Sequence, residues 1–445
     1  MQVRSKKFFI ETFGCQMNVV DSERAAEQLY QSGYEQCQDI SAADVILFNT
    51  CSVREKASEK MYSRIHAIRR LKKEGAFVGI MGCVAQIEGK KLIERFPDVR
   101  LVVGTQAVGN LKRALGKLDG GEEFVVDVVS PNLARFDGVD VRRRLDKYVA
   151  FVTVMEGCDK FCTFCVVPFT RGRERSRSPE SILSEMVRLS QQGVKEVHLI
   201  GQNVNSYGLG RRIEGKNRLS FAGLLSFLAA RSDIPRIKFT TSHPRDFSSE
   251  IVEAIETWPQ LCPWVHLPLQ SGSDRVLAAM NRGYTCKGYL QKVAMIRQSS
   301  RRISLTSDII VGFPGETEQD FIRTLDMIRE IKFDSLYVFK YSPRPHTVAA
   351  KWPDTVSDSE KTARLQELVK VQQEVQSEVW REYLGKTLKV LVEGKSVKSE
   401  NHWTGHSMCH KVVNFESSSD NLEGVEVTVK VDKVNPHSLF GTHIH

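Results

Sequence analysis

The sequence lacks any long hydrophobic run. No apolar stretch approaches the ~20 residues that a helix needs to cross a bilayer. The first residues, MQVRSKKFFIETFGC, contain only three consecutive apolar residues, which excludes the hydrophobic segment of a secretory signal peptide. We therefore expect a cytoplasmic protein without a membrane partner.

Low-complexity segments and internal repeats are also absent, and the composition is that of a globular protein, with 41% hydrophobic and 26% charged residues. A chain of 445 residues is too long for one hydrophobic core, so two or three domains are expected. The net charge of +9, from 63 basic and 54 acidic side chains, favours a polyanionic partner such as nucleic acid. An ordinary basic enzyme is the alternative.

The ten cysteines are not expected to pair as disulfides in a reducing compartment. Cysteines in groups are more often metal ligands, whereas scattered ones are small buried hydrophobes. The scattered type comprises Cys37, Cys262, Cys286 and Cys409. The remaining candidate ligands are Cys15, Cys51, Cys83, Cys158, Cys162 and Cys165.

Three short apolar runs near the N-terminus each end on a cysteine: KFFIETFGC, ADVILFNTC and AFVGIMGC. Helix-like stretches separate them, and this strand–helix order predicts βαβ units with a parallel sheet. Open α/β sheets gather their ligands at the carboxyl ends of the strands. Cys15, Cys51 and Cys83 are therefore expected to form one cluster in space, with chance placement as the weaker alternative.

A second cysteine group lies in MEGCDKFCTFCVVP, residues 155–168, which contains Cys158, Cys162 and Cys165. Tetrahedral zinc needs a fourth ligand nearby, and no histidine lies between Cys165 and His198. The loop alone therefore cannot complete a zinc site. A four-iron cluster on three thiolates is the alternative, and it leaves one iron open to bind another molecule.

From residue 148, six strand-like runs alternate with helical segments. Six βα units predict a partial TIM-like barrel whose active site lies after the strands. After a helix over 358–384, the runs KTLKVLVEGKS and EGVEVTVKVDKVN alternate at period two and predict a small β-barrel. The fold class is therefore α/β. The predicted boundaries are 1–120, a linker over 121–146, 147–377 and 378–445.

The CxxxCxxC spacing, with Phe164 before the last cysteine, resembles the radical S-adenosylmethionine (SAM) superfamily. The resemblance implies that Cys158, Cys162 and Cys165 hold a 4Fe–4S cluster, that its open iron binds SAM, and that one-electron reduction yields a 5′-deoxyadenosyl radical. It also implies SAM contacts from Phe164 and from residues that follow later strands. These are Gln202, Asn203, Ser271, Gly272, Ser273, Gly312 and Gly315. Taken singly, each glycine is better explained by a tight turn.

The motifs TFGCQMNVVDSE, NTCSVREKASEK and GCVAQ, followed by this barrel and a β tail, resemble the methylthiotransferases over nearly the whole chain. The closest branch converts N6-isopentenyladenosine adjacent to the anticodon of tRNA (position 37) into its 2-methylthio derivative. The resemblance implies that Cys15, Cys51 and Cys83 hold an auxiliary 4Fe–4S cluster. It further implies that one SAM molecule methylates sulfur at that cluster and that the radical from another removes hydrogen from carbon 2 of the adenine.

RNA-binding residues are expected in two places. TRGRERSR places Arg171, Arg173 and Arg175 directly beyond the cluster loop, and arginine forks suit phosphate oxygens. The tail resembles the TRAM domain, a small RNA-binding β-barrel, and several of its lysines are candidate contacts, with scattered surface positions as the strong alternative. These lysines are Lys386, Lys389, Lys395 and Lys411. For arginines 142–144, a solvated charged face is an equally serious interpretation.

The implied partners are tRNA, an electron donor such as flavodoxin or ferredoxin, and an unidentified sulfur source. Sister enzymes that act on threonylcarbamoyl-adenosine in tRNA, or on an aspartate of a ribosomal protein, use the same six cysteines and remain alternatives. A non-catalytic zinc RNA-binding protein and an electron carrier belong to other classes. The incomplete zinc ligand set disfavours the first, and the large barrel disfavours the second.

Overall fold

The structure is a computed structural model. It describes residues 5–52, 55–128, 141, 144, 146–210, 218–396 and 402–444. Three units follow one another along the chain: a parallel sheet with helices, a partial barrel and a small closed β-barrel. Within the described ranges, none of the helices combines the length and the apolar character that a membrane span requires.

The N-terminal unit is built on a parallel sheet. Its strands are β1 (Lys7–Phe13), β2 (Glu35–Gln36), β3 (Val45–Thr50), β4 (Phe77–Gly82), β5 (Val99–Gly104) and β6 (Val125–Asp127). Its helices are α1 (Gln16–Gln31), α2 (Glu55–Ile68), α3 (Cys83–Glu88), α4 (Lys91–Arg95) and α5 (Leu111–Asp119). The strand order is β2-β1-β3-β4-β5-β6. Every residue of β3 is buried, because helices cover both faces of a parallel sheet.

In its described residues, the central unit has six parallel strands, as the sequence predicts. They are β7 (Val149–Thr153), β10 (Glu196–Ile200), β11 (Arg236–Phe239), β12 (Trp264–His266), β13 (Ser304–Val311) and β14 (Ser335–Lys340), and a short antiparallel pair, β8 (Met155–Glu156) and β9 (Arg175–Ser176), follows β7. The helices are α6 (Val167–Thr170), α7 (Pro179–Gln191), α8 (Phe221–Ala229), α9 (Ser249–Thr257), α10 (Asp274–Ala279), α11 (Cys286–Arg297), α12 (Glu318–Ile331) and α13 (Asp358–Arg381).

These six strands lie side by side in chain order. They form two three-stranded sheets, β7-β10-β11 and β12-β13-β14. A bridge between Ile237 and Leu261 joins the neighbouring edges. One face of the strands packs on the helices through fully buried residues such as Val197 and Leu199. The partial barrel is therefore confirmed, with its hydrophobic core between the strands and the surrounding helices.

The C-terminal unit is a closed five-stranded barrel, which confirms the predicted small β-barrel. Its strands are β15 (Thr387–Lys395), β16 (His402–Ser407), β17 (Val412–Glu416), β18 (Glu426–Val434) and β19 (Leu439–Ile444). The order around the barrel is β15-β16-β17-β19-β18. Residues of alternating burial along β16 and β18 fit the period-two pattern in the sequence.

The turn between β16 and β17 docks on the polar face of the central strands. The ring of His410 stacks on Trp264 with a centroid distance of 4.1 Å. Lys411 Nζ lies 2.7 Å from Asp334 Oδ1, and the Lys411 side chain is only 3% exposed. The prediction that Lys411 contacts RNA was therefore wrong, because its ammonium is buried against a carboxylate between the two barrels.

The docking of this turn leads to a prediction about how the stability of the protein depends on pH. Burial, with Lys238 nearby, lowers the pKa of His410 to about 2. In the unfolded chain this histidine binds a proton below about pH 6.5, whereas in the folded chain it stays neutral. Its contribution to stability is therefore fully present above that pH and is lost as the pH falls. The substitution His410→Asn, which suits the φ of +62°, should remove this dependence. Between about pH 6 and 5, wild type should lose about 1 kcal/mol more than the variant.

Urea unfolding midpoints at several pH values check this expectation. The exposed His437→Asn is the matched control and should keep the wild-type pH dependence. Equal pH dependence in H410N and H437N would contradict the argument.

Candidate active site

The N-terminal cysteines meet at one edge of the sheet. Strand register aligns Phe13 with Thr50, and Thr50 with Gly82. Cys51 and Cys83 directly follow the second and third of these residues, and the Cys51 backbone nitrogen donates a hydrogen bond to Phe13 O at 2.9 Å. The N-terminal triad, defined as Cys15, Cys51 and Cys83, is thus brought together from segments 36 and 32 residues apart.

Direct thiol contacts lower the pKa of two of the three cysteines in the N-terminal triad. A hydrogen bond from the Cys51 thiol lowers the pKa of Cys15 to about 6 and that of Cys83 to about 7. The positive charge of Arg171 acts in the same direction on both. Donation to two neighbours raises the pKa of Cys51. Because thiolates are the form that binds metals, two of the three sulfurs are prepared for ligation near neutral pH.

Two asparagines that the sequence analysis missed support the N-terminal triad. Asn18 accepts from the Cys15 backbone nitrogen at 3.2 Å and donates to Asn49 Oδ1 at 2.9 Å, with both side chains buried. A Cβ on Gly82, at φ +92°, would lie 2.3 Å from Asn49 Oδ1, so only glycine leaves room for this amide. The sequence does contain a signal for this supporting role, because each asparagine lies within three residues of a cysteine.

The second group, here called the barrel triad, is Cys158, Cys162 and Cys165. It lies in the loop that follows β7 and β8, where the Cys165 backbone nitrogen donates to Cys162 O at 3.0 Å. Gly157 must be glycine, since its φ is +78° and a Cβ would lie 2.1 Å from Arg173 O. Burial raises the pKa of Cys165 to about 12, and the neighbouring Cys162 adds to the shift. Cys162 is buried and the other two cysteines of the triad are half-buried.

Three of the residues predicted to contact SAM lie near the barrel triad. Gln202 Oε1 accepts from the Gly157 backbone nitrogen at 2.5 Å. Asn203 donates to Asp246 at 2.8 Å, while its Oδ1 is buried and meets no hydrogen-bond partner within the described ranges. Phe164 packs edge-on against Phe313 at 6.5 Å between centroids. A buried amide oxygen without a donor fits a bound molecule that supplies one.

The predicted segment after β12 has structural contacts of its own. Ser273 caps α10 and donates to Asp320 at 2.6 Å. Ser271 accepts from the Ser273 backbone nitrogen at 3.2 Å. A Cβ on Gly272 would lie 2.5 Å from Thr324 Cα, so glycine is needed for close packing of strand and helix.

The two glycines after β13 likewise have local explanations. Gly312 and Gly315 have φ values of +72° and +81°, which glycine adopts readily. The Gly312 nitrogen donates to Glu316 Oε2 at 2.7 Å, and a Cβ there would lie 2.2 Å from Lys361 Cγ. The turn requires glycine at position 312 whether or not a ligand passes it.

The predicted RNA-binding arginines lie in different environments. Arg171 is buried, and its Nη2 donates to Asp21 Oδ2 on α1 at 2.6 Å, which does not fit a phosphate contact. The side chain of Arg173 is 59% exposed, beside Asp159 at 2.9 Å and over the ring of Phe161. Arg175 lies half-buried on β9.

The tail lysines other than Lys411 lie at the surface of the small barrel. Lys386 and Lys389 are exposed on the approach to β15 and within it. Lys395 lies over the ring of Trp403, with Nζ 4.1 Å from the centroid. These ammonium groups are accessible to a large anionic partner.

Comparison with known families gives matches over most of the chain. Residues 7–104 match the family described as "Uncharacterized protein family UPF0004". Residues 152–328 match the Radical SAM superfamily, and residues 381–444 match the TRAM domain. The first range contains the N-terminal triad, the second contains the barrel triad, and the third contains the closed barrel.

A solved structure shows the same fold at low sequence identity. A radical S-adenosylmethionine methyltransferase, TsrM, from Kitasatospora setae superimposes with a TM-score of 0.59 and 17% identity, over 78% of this chain and 75% of that one.

Curated relatives match at much higher identity. The "tRNA-2-methylthio-N(6)-dimethylallyladenosine synthase" of Koribacter versatilis is 43% identical over 98% of both chains. The protein of the same name from Geobacter metallireducens is 44% identical, again over 98% of both chains. This chain therefore belongs to the family of the tRNA-2-methylthio-N(6)-dimethylallyladenosine synthases, within the radical SAM superfamily.

Proposed function

We propose that this chain transfers a methylthio group to carbon 2 of N6-isopentenyladenosine at position 37 of tRNA, next to the anticodon. The observation that supports this most directly is the presence of two three-cysteine groups at strand ends of two packed units. Relatives with the corresponding name share 43% identity over 98% of this chain. The sequence-based limits 147–377 and 378–445 are retained as proposals, whereas the N-terminal unit is extended from 120 to 127, because β6 pairs with β5 and so shortens the linker expected over 121–146.

Each triad suits a 4Fe–4S cluster, because three thiol ligands bind three of the irons and leave one iron open. The barrel triad would hold the cluster that binds SAM, beside Gln202 and Asn203. The N-terminal triad would hold an auxiliary cluster. When bound, the clusters and SAM supply the one-electron chemistry and the methyl group, which side-chain acids and bases cannot provide for an unactivated C–H bond. The chain itself would position the sulfurs, and the packing of its two units would keep the two sites at a fixed separation.

Buried contacts between α1 and the cluster loop support that fixed separation. The Asp21–Arg171 pair joins α1 to the residue that ends α6. Thr105, beyond β5, donates from its hydroxyl to Thr170 O. Met17 and Val20 pack with Ile200 in a small apolar cluster. A substrate base bound between the two triads would then meet both without large domain motion.

Exposed basic residues would hold the tRNA backbone. Arg173 is accessible beside the barrel triad, and Lys386 and Lys389 are accessible on the small barrel. Contacts of this type fix the register of an RNA without reading its sequence. The reductant would be a small electron carrier such as flavodoxin or ferredoxin, and a separate sulfur source would restore the auxiliary site.

Nucleoside mass spectrometry of cellular tRNA tests the activity. In cells that lack methylthiolated tRNA, the wild-type chain should restore 2-methylthio-N6-isopentenyladenosine. Cys83→Ala should restore none, because it removes a ligand. Cys37→Ala is the matched control, since this half-buried cysteine lies outside both triads and should retain the product. A methylthio group found only on threonylcarbamoyl-adenosine would contradict the proposed substrate.

A further inference from the structure

The segment that connects α10 to α11 holds the loop of the barrel triad. Thr163 in the loop donates from its backbone nitrogen to Met280 O at 3.1 Å and from its hydroxyl to Ala279 O at 2.9 Å. Asn281 Nδ2 donates to Phe161 O at 3.0 Å. The contacts come from a separate βα unit of the barrel, so they fix the loop from outside its own sequence.

Arg282, within this segment, contacts a cysteine of the barrel triad directly. Its Nη1 donates to Cys162 Sγ at 3.3 Å. Nη2 donates to Pro268 O and Nε to the Tyr284 hydroxyl, each at 3.1 Å. The Tyr284 hydroxyl in turn donates to Leu269 O at 2.7 Å. All three guanidinium nitrogens are therefore held, and the side chain cannot turn away from the sulfur.

The charge of Arg282 has no carboxylate partner in the described part of the chain. The residue is 6% exposed, and the acceptors around it are a sulfur, a backbone carbonyl and a neutral hydroxyl. A buried cation without a counter-charge is unfavourable, whereas one beside an anion in a low-dielectric site is strongly stabilised. The Cys162 thiolate, as part of a metal cluster, is the anion that this geometry provides.

We propose that Arg282 is a positioning residue that acts as the counter-charge of the barrel cluster and raises its reduction potential. The inference rests on the proposed function, because it assumes that the barrel triad holds iron. A cluster that takes up one electron from an external reductant gains one negative charge. A fixed cation and a hydrogen bond to a ligand sulfur both stabilise that reduced form. Arg282 therefore makes the cluster easier to reduce.

Full-length chains in which Cys15, Cys51 and Cys83 are alanine isolate the barrel cluster for the test. In this background we compare Arg282→Gln and Arg282→Lys with the parent by dithionite titration monitored by electron paramagnetic resonance. At a fixed potential, R282Q should lower the ratio of reduced to oxidised cluster about tenfold, equivalent to about 59 mV for one electron. R282K keeps the charge and should retain most of the parent ratio. The exposed Arg329→Gln controls for the loss of one positive charge elsewhere.

The iron content distinguishes a failure of the proposed function from a failure of the inference about Arg282. A parent chain that binds no iron after reconstitution would remove the proposed function and this inference together. Full iron in R282Q with an unchanged potential would overturn the inference alone, as would equal shifts in R282Q and R282K. Loss of iron from both Arg282 variants would also overturn it, in favour of a purely structural role.

Discussion

Replacement of Cys158, Cys162 and Cys165 by alanine should abolish SAM cleavage, whereas replacement of Cys15, Cys51 and Cys83 should leave it at least partly intact and stop methylthio transfer. The two groups lie on different units and in different loops, so each can assemble without the ligands of the other. Reconstituted wild type should bind about eight irons and each triple variant about four, because a 4Fe–4S cluster takes four. Deoxyadenosine release, modified nucleoside and iron content are the three measurements.

The control for lost thiols is a chain with Cys37 and Cys286 replaced by alanine, both half-buried and outside the triads. It should bind the full amount of iron and keep both activities. If the variant of the N-terminal triad lost all deoxyadenosine production while its barrel cluster remained assembled, the proposed division of roles would be wrong.

Asp21→Asn should lower the free energy of unfolding by about 3–5 kcal/mol, because it removes the carboxylate charge that pairs with the buried Arg171 guanidinium. The two side chains are 2% and 4% exposed, and Nη2 lies 2.6 Å from Oδ2. The pair joins α1 to the loop beyond the barrel triad, so we also expect weaker packing of the N-terminal sheet on the barrel. Urea unfolding midpoints and limited proteolysis measure the two effects.

A surface pair provides the comparison. Lys6 and Asp119 lie at the same short separation of 2.6 Å, but their side chains are 52% and 53% exposed. Asp119→Asn should cost less than about 1 kcal/mol, since solvent screens an exposed pair. The double variant D21N/R171Q should recover part of the loss, because it removes both charges of the buried pair. Equal losses in D21N and D119N would contradict the argument.

Much of the fold was predictable because strands and helices have local periodicities. Each apolar run that ends on a cysteine corresponds to a strand, β1, β3 or β4, and the helix predicted over 358–384 is observed at Asp358–Arg381. The short strand β6 was missed because three residues are too few for a detectable period. It lies within the segment predicted as a linker.

The site was predictable to the extent that its chemistry follows from the residue types and from their positions relative to the strands. Parallel strands carry their carboxyl ends to a common edge, which suffices to group the N-terminal triad, and the short spacing within one loop suffices to group the barrel triad. The supporting residues could not be predicted in this way. Asn18 and Asn49 come from different strand–helix units and meet only after the sheet forms.

The sequence by itself determined the ligand types, the strand order along the chain and the resemblance of its motifs to methylthiotransferases. Only the tertiary structure decided which charges face solvent. Arg171 and Lys411, both expected at the RNA, are instead buried against Asp21 and Asp334, and Arg282 reaches Cys162 from 120 residues away. Local patterns report the periodicity of one element, whereas the partner of a buried charge depends on how distant elements pack.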